Sequence, residues 1–146
     1  QHVDNHTNIE HVVGHCETHQ LYKSILAGSS RAVFNGRVHI RPNAQKASSD
    51  QLNQNLLLSS QAEADSKPQL EIHADDVKAT HGSTVGQLDA EEIFYFLSRG
   101  ISKDQAQEML SLGFIQELVE KISEPSIRNW MRKNLKRRYL AIKEQL

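Results

Sequence analysis

Ser30-Arg31-Ala32-Val33-Phe34-Asn35-Gly36-Arg37-Val38-His39-Ile40 sets the grammar of the first half of the chain. Two short β-rich runs, Ala32–Phe34 and Arg37–Ile40, flank Asn35-Gly36, a pair that favours the positive φ angles of a tight turn. The same grammar continues outward. Further strand-like runs are Gln20–Leu26, Asn53–Leu58, Gln69–Ile72 and Val77–Thr80. Turn residues punctuate them at Gly14, Gly28-Ser29-Ser30, Pro42-Asn43, Ser48-Ser49-Asp50, Ser66-Lys67-Pro68 and His81-Gly82-Ser83. Nothing in this half has the length of a helix. The reading is an all-β body, and a sandwich and a parallel β-helix both fit it.

The period changes near Gly86–Asp89, which sets a boundary between residues 1–88 and 89–146. Asp89 with Glu92 reads as a capping box opening a helix that carries Ile93, Phe94, Phe96 and Leu97, with Gly100 as a left-handed stop. Ser102 with Gln105 opens a second helix in the same way. Ala106, Met109, Leu110, Gly113, Phe114 and Leu118 follow one helical face, and Leu112, Ile115, Val119 and Ile122 a second. Two stripes imply two buried surfaces, one for the body and one for a partner. Pro125 suits the first turn of a third helix with Ile127, Met131, Leu135 and Ile142 on one side.

The 146 residues make one domain, or one domain with a small appendage. With 17 Lys and Arg against 18 Asp and Glu, global charge argues neither for nor against a polyanionic partner. The longest apolar cluster, Leu56-Leu57-Leu58, is far short of the ~18 residues of a membrane span. The polar start has no signal-peptide pattern and no initiator Met, so the chain reads as a piece of a longer, cytoplasmic protein. One cysteine, Cys16, excludes a disulfide framework and a self-contained Cys-rich metal site.

Three clusters have ligand or charge chemistry. His11, His15, Cys16 and His19 are all metal-capable, but their spacing is not that of a zinc site, and strand alternation scatters them. His73 and His81 flank Asp75-Asp76. That set reads either as a proton-transfer or metal pair, or as a strand–turn–strand with capping aspartates. Adjacent carboxylates on a strand point to opposite faces, which disfavours a carbohydrate-cleaving pair. Arg128, Arg132, Lys133, Lys136, Arg137, Arg138 and Lys143, with Trp130 and Tyr139 interleaved and no acid between, form either a solvated basic face or an anion-binding one. An independent metal- or nucleic-acid-binding module is thus the alternative function. No phosphate loop, dinucleotide fingerprint or nucleophile elbow is present.

Three longer stretches carry a resemblance. They are Ser30 to Arg37, Gln51 to Lys78 with Lys67-Pro68-Gln69-Leu70-Glu71 within it, and His81-Gly82-Ser83-Thr84-Val85-Gly86-Gln87-Leu88-Asp89 running on to Phe94-Tyr95 and Ser98-Arg99-Gly100-Ile101. Together they resemble the C-terminal part of the SufB/SufD family of iron–sulfur cluster assembly proteins, on its SufD side, over residues 4–122. The resemblance implies the end of a right-handed parallel β-helix over 1–88 and a small C-terminal helical domain over 89–146. It implies a non-catalytic scaffold of a SufB–SufC–SufD complex. Its helices dock SufC, an ABC-type ATPase, and its β-helix pairs with a SufB-like subunit or, through a cut edge, with a second copy.

On that basis Phe94, Tyr95, Arg99, Met109, Leu112, Phe114, Ile115 and Glu117 form the expected contact with the ATPase. For the apolar members, internal core is the competing reading. His81 matches the family's interface histidine and is the expected ligand, shared with the partner, for transient iron or a nascent cluster. Many relatives carry Cys two positions earlier, where this chain has Ala79, which leaves His81 as the participant. No cofactor is expected to be held stably.

Overall fold

Phe34, Gly36, Val38 and Ile40 are buried while the residues between them are not, the period-two burial of a single uninterrupted strand. In the computed structural model, which describes residues 1–143, that strand is β3 (Arg31–Ile40). The other strands are β1 (His2–His11), β2 (Glu17–Leu26), β4 (Ser48–Leu57), β5 (Glu63–Ile72) and β6 (Lys78–Gln87). They form two sheets of order β1-β3-β5 and β2-β4-β6, so consecutive strands lie in different sheets and each pairs with the strand two along. In the first sheet His2 faces Arg31 and His11 faces Ile40, and Arg31 in turn faces Glu63 and Ile40 faces Ile72, all parallel. In the second, Ser48 N–H donates to Cys16 C=O and Leu58 N–H to Leu26 C=O, which fixes the same sense for β2 and β4.

This pairing corrects the hairpin expected at Asn35-Gly36, which lies inside β3. A Cβ on Gly36 would come within 2.4 Å of Gln51 Nε2 and 2.6 Å of the Phe34 ring, so the glycine serves close packing between sheets rather than a turn. Ser48-Ser49-Asp50, Ser66-Lys67-Pro68 and His81-Gly82-Ser83 are likewise strand residues, in β4, β5 and β6. Pro68 is tolerated because β5 is an edge strand, where one row of N–H groups has no strand partner. The expected turns at Gly14, Gly28-Ser29 and Pro42-Asn43 do lie at corners, and Gly28 has φ 58°.

By contacts the described residues fall into two units. The first holds Gln1–Ser24, Ser30–Asn55 and Glu63–Val85. Its core is Val38, Ile40, Ala44, Ala47 and Ala74, with Ile9, Leu70, Val77 and Ala79 against it. Register stacks Ile9, Val38 and Leu70 in one column. Phe34 is buried outside that cluster, and much of the remaining interior is polar: Ser49, Gln51, Asn53 and Asn55 of β4 are all buried. Gln51 Nε2 donates to Gln20 Oε1 at 2.7 Å and Asn53 Nδ2 to Ser66 Oγ at 3.0 Å. These bonds offset part of the desolvation of the amides, while Gln51 Oε1 and Ser49 Oγ have no hydrogen-bond partner among the described residues.

The second unit gathers Ile25–Ser29, Leu56–Ala62 and the residues from Gly86 onward. Its helices are α1 (Ala90–Ser98), α2 (Lys103–Glu120) and α3 (Pro125–Lys143). Asp89 caps α1 by accepting from Glu91 N–H at 2.6 Å, in place of the reciprocal box expected with Glu92. Ser102 and Gln105 do form the full box on α2, and Gly100, at φ 78°, ends the first helical segment. None of the helices, among the described residues, is long and apolar enough to cross a membrane.

Candidate functional site

Helix α1 has nine residues and buries none of them. Phe94 is 71% exposed and Tyr95 56%, with Leu97 and, on α2, Met109 also open to solvent. A groove of Glu91, Glu92, Tyr95, Phe96 and Leu110 runs beside them. Arg99 lies over the Tyr95 ring, 5.3 Å from its centroid, and Tyr95 meets Phe96 edge-on. Of the expected contact residues, Phe94, Tyr95, Arg99 and Met109 thus stand exposed, and Leu112, Phe114 and Ile115 are half-buried. Glu117 is exposed and pairs with Lys121 at 3.6 Å. From sequence, Leu97, Leu110 and Glu92 read only as helix-face and capping residues, and nothing singles out Glu91; that the two glutamates and Leu110 stand beside Tyr95 is shown by the structure.

His81 sits on β6, the outer strand of its sheet. Strand alternation puts it on the same face as Ala79, which packs on the buried core, yet its ring is exposed. No hydrogen bond or ion pair of the ring occurs among the described residues. Asp75 and Asp76 do not approach it as a catalytic pair would. They lie in the bend between β5 and β6, where the Asp76 C=O accepts from Lys46 N–H and its N–H donates to Gln45 Oε1.

The His11–His19 tract is not gathered into a ligand set. His11 is buried, with Nε2 bonded to Thr18 Oγ1 at 2.7 Å; His15 is exposed in a turn at φ 60°; His19 pairs with Asp50; Cys16 Sγ faces Gly14 C=O. The basic face of α3 is largely answered from α2. Arg132 and Arg128 pair with Glu120, Lys136 with Glu108 at 3.3 Å and Lys143 with Asp104 at 3.2 Å. The Arg132 contact, ahead of any other influence, holds the Glu120 carboxyl below the usual carboxylate range. Trp130 is exposed and Tyr139 is buried. This arrangement favours the solvated, internally paired reading of that helix.

One ligand-like set does come together among the described residues: His39, Glu71 and His73, with donor atoms all within 4.8 Å. Register places Glu10 opposite His39 and His39 opposite Glu71. Glu71 is held down to about 2, first by the Arg37 guanidinium and then by its bond with His73. His39 and Glu71 escaped the sequence reading because partners in parallel strands are far apart in the chain.

A geometry of parallel strands alternating between two sheets and leading into helices can be compared with known proteins. Residues 1–114 match the family model described as SUF system FeS cluster assembly, SufBD core domain. The chain is 46% identical over 125 residues to the iron–sulfur cluster assembly protein SufD of Escherichia coli, covering 86% of this chain and 30% of that protein. It is 40% identical over 129 residues to an iron–sulfur cluster assembly SufBD family protein of Synechocystis, covering 88% and 28%. A SufBD family protein of Mycobacterium leprae is 39% identical over 136 residues, covering 88% and 35%. The chain therefore spans only about a third of the length of these relatives. Matched over most of its own length by this core domain, and nearly half identical to a SufD, the chain belongs to the SufB/SufD family of iron–sulfur cluster assembly proteins, as a SufD-like member.

Proposed function

We propose that this chain works as the end of a non-catalytic, cytoplasmic scaffold subunit in iron–sulfur cluster assembly. In this reading the strands are the last coils of a right-handed parallel β-helix and residues 89–146 are its helical domain. The alternation of strands between two parallel sheets supports that geometry, because a coil that returns to its own sheet every second strand stacks on its predecessor. The helices dock a SufC-type ABC ATPase, and the outer β6 edge, with His81 on it, faces a SufB-like subunit or a second copy. There His81 supplies one imidazole to transient iron or a nascent cluster, and the partner supplies the thiolates. No cofactor is held permanently.

The observation that carries the docking reading is α1. A nine-residue helix is too short to be stable alone, and this one exposes Phe94 and Tyr95 while burying nothing. Aromatic side chains on such a face are the usual anchors of a protein interface. The test is calorimetric binding of the chain to its cognate SufC-type ATPase, with a Phe94→Ala/Tyr95→Ala variant beside a Trp130→Ala variant. Loss of binding in the first alone, with the circular dichroism spectrum retained, is the expected result. Undiminished binding by the folded double variant moves the dock away from α1 and ends this reading.

A further inference from the structure

We propose that His39, Glu71 and His73 form a site for a divalent first-row transition-metal ion on the outer face of the β1-β3-β5 sheet, separate from His81. The proposal does not rest on the docking reading. Three features carry it.

The backbone aims the three side chains at one point. The β3–β5 register sets His39 directly opposite Glu71. His73 follows Glu71 by two residues. Its N–H donates to Ile40 C=O at 2.9 Å, which carries the β3 pairing one step past the end of β5 and keeps His73 on the Glu71 face. Glu71 Oε1 is 3.1 Å from His73 Nε2 and 3.9 Å from His39 Nε2. A cation with ordinary bonds to nitrogen and oxygen holds its donor atoms about 3.0–3.4 Å apart. Of the three donor pairs one is already at that distance, a second lies half an ångström or so beyond it, and all three donors lie within 4.8 Å, so side-chain rotation of the imidazoles closes the set.

The donor atoms are also oriented from behind. Glu10 Oε1 lies 3.3 Å from His39 Nδ1, behind the ring, while Nε2 is the nitrogen that faces Glu71. Arg41 Nε in turn holds Glu10 Oε1 at 2.7 Å. Arg37 grips Glu71 through Oε2 and leaves Oε1 toward the two imidazoles. A carboxylate behind a ligand histidine and a donor behind a ligand carboxylate are the outer supports by which proteins fix a metal's ligands. An entering metal ion would replace the hydrogen bond that Glu71 Oε1 and His73 Nε2 make with each other, displacing its proton.

The chemistry of the set then narrows the ion. Two imidazoles and one carboxylate, with remaining positions open to water, suit iron(II) or zinc(II) and not calcium or magnesium, which want more oxygen. His39 is only one-fifth exposed at its side chain, so its lone pair is partly shielded from water. The two acids Glu10 and Glu71 are matched by Arg37 and Arg41, so the free site carries little net charge. It is therefore expected to bind by ligand donation more than by electrostatic attraction, with correspondingly weak dependence on salt.

Cobalt(II) is the probe, because its visible absorption reports imidazole ligation directly. The full chain is titrated with cobalt(II) at neutral pH, then with zinc(II) in competition, and anaerobically with iron(II). One equivalent of cobalt is expected to give a ligand-field band that zinc displaces. A His39→Gln/His73→Gln variant loses the band. Glu10→Gln, which touches no metal, weakens binding by about 10-fold or more by freeing the His39 ring. Circular dichroism verifies that each variant is folded. No cobalt band in the native chain overturns the proposal. So does a band that survives His39→Gln/His73→Gln, or one that disappears in His15→Gln/His19→Gln, since either assigns the metal to other imidazoles. Unchanged affinity in Glu10→Gln removes the supporting role given to that carboxylate, and with it the second of the three features. The iron and zinc arms decide which ion the site prefers.

Discussion

The strand unit and the helical unit are held together differently. In the first, Val38 and Ile40 are fully buried, and β3 receives a stacked neighbour on both sides, so each interior side chain is fixed by its counterparts in β1 and β5. Among the helices α1 buries nothing, α2 buries Ala106, Ser111 and Val119, and α3 buries Tyr139. Meanwhile Phe94, Tyr95, Leu97, Met109, Ile127, Trp130 and Leu140 all face water. Ion pairs also join α2 to α3, but exposed pairs of that kind are worth only about 0–1 kcal/mol each. The strand unit therefore has a closed apolar core around β3, with Val3, Val12, Val13, Ile72 and Val85 left open at its periphery. The helices carry apolar surface that a single chain leaves unused, which is what an element built for a partner would show.

The sharpest way to break this contrast is to remove equal amounts of hydrocarbon from each unit. Ile40→Ala leaves a cavity in a closed column and is expected to cost about 2–5 kcal/mol in urea unfolding. Met109→Ala removes an exposed side chain and is expected to shift stability by no more than about 0.5 kcal/mol. Equal costs would mean that Met109 already has a partner within the chain and that the two units do not differ.

Glycine offers a test in which the sign itself differs. Gly36→Ala puts a methyl group against the Phe34 ring and the Gln51 amide, and is expected to destabilise by about 1–3 kcal/mol. Gly113 lies within α2 with nothing inside 4 Å of an added Cβ. Gly113→Ala is therefore expected to stabilise by up to about 1 kcal/mol through helix propensity alone. A smaller effect follows at the start of α2. Ser102→Ala removes the bond from Gln105 N–H to the Ser102 hydroxyl, leaves the reciprocal backbone bond to the Gln105 side chain, and is expected to cost about 1 kcal/mol, read as a loss of helical ellipticity before the strands unfold.

These same positions explain what was legible in the sequence. Ser102 with Gln105, Gly100 and Pro125 were readable because a helix end is satisfied by residues within a few positions of it. Asn35-Gly36, Ser66-Lys67-Pro68 and His81-Gly82-Ser83 misled for the opposite reason. Their local preference is for a turn, but parallel pairing along whole ten-residue strands outweighs it, and Gly36 is small for the sake of Gln51 rather than for its backbone. The resemblance drew attention to His81 and to the α1 face. Nothing local pointed to His39, because its partners Glu10 and Glu71 are neighbours only through the register. Arg37-Val38-His39 set above Gln69-Leu70-Glu71 was the available signal, once coils were stacked. The aspartates near His73 were the more conspicuous partners in sequence, yet they lie in the bend after β5, where the Asp76 backbone is held by Gln45 and Lys46.

The outer face of the β1-β3-β5 sheet gives the smallest and most specific expectation. The Glu71 side chain is only half-buried, so its ion pair contributes little to folding, but its titration reports the pairing directly. Its carboxyl stands at about 2, chiefly because Arg37 donates to it. A carboxyl depressed in the folded state adds stability that is full above the ordinary carboxylate range, near 4.5, and is lost as pH falls toward 2. Arg37→Gln removes the first cause and leaves the second, the bond from His73. The Glu71 carboxyl, followed by carbon NMR, is then expected to move up toward the ordinary range without reaching it. The small loss of stability between those two pH values should shrink with it, and high salt should shrink the wild-type effect too. No such response is expected on the helical side from removing a cation at α1, since Arg99 there lies over the Tyr95 ring. A Glu71 that titrates normally in the native chain would show that the register pairing of β3 with β5 does not organise its outer face, and the two units would then differ only in their interiors.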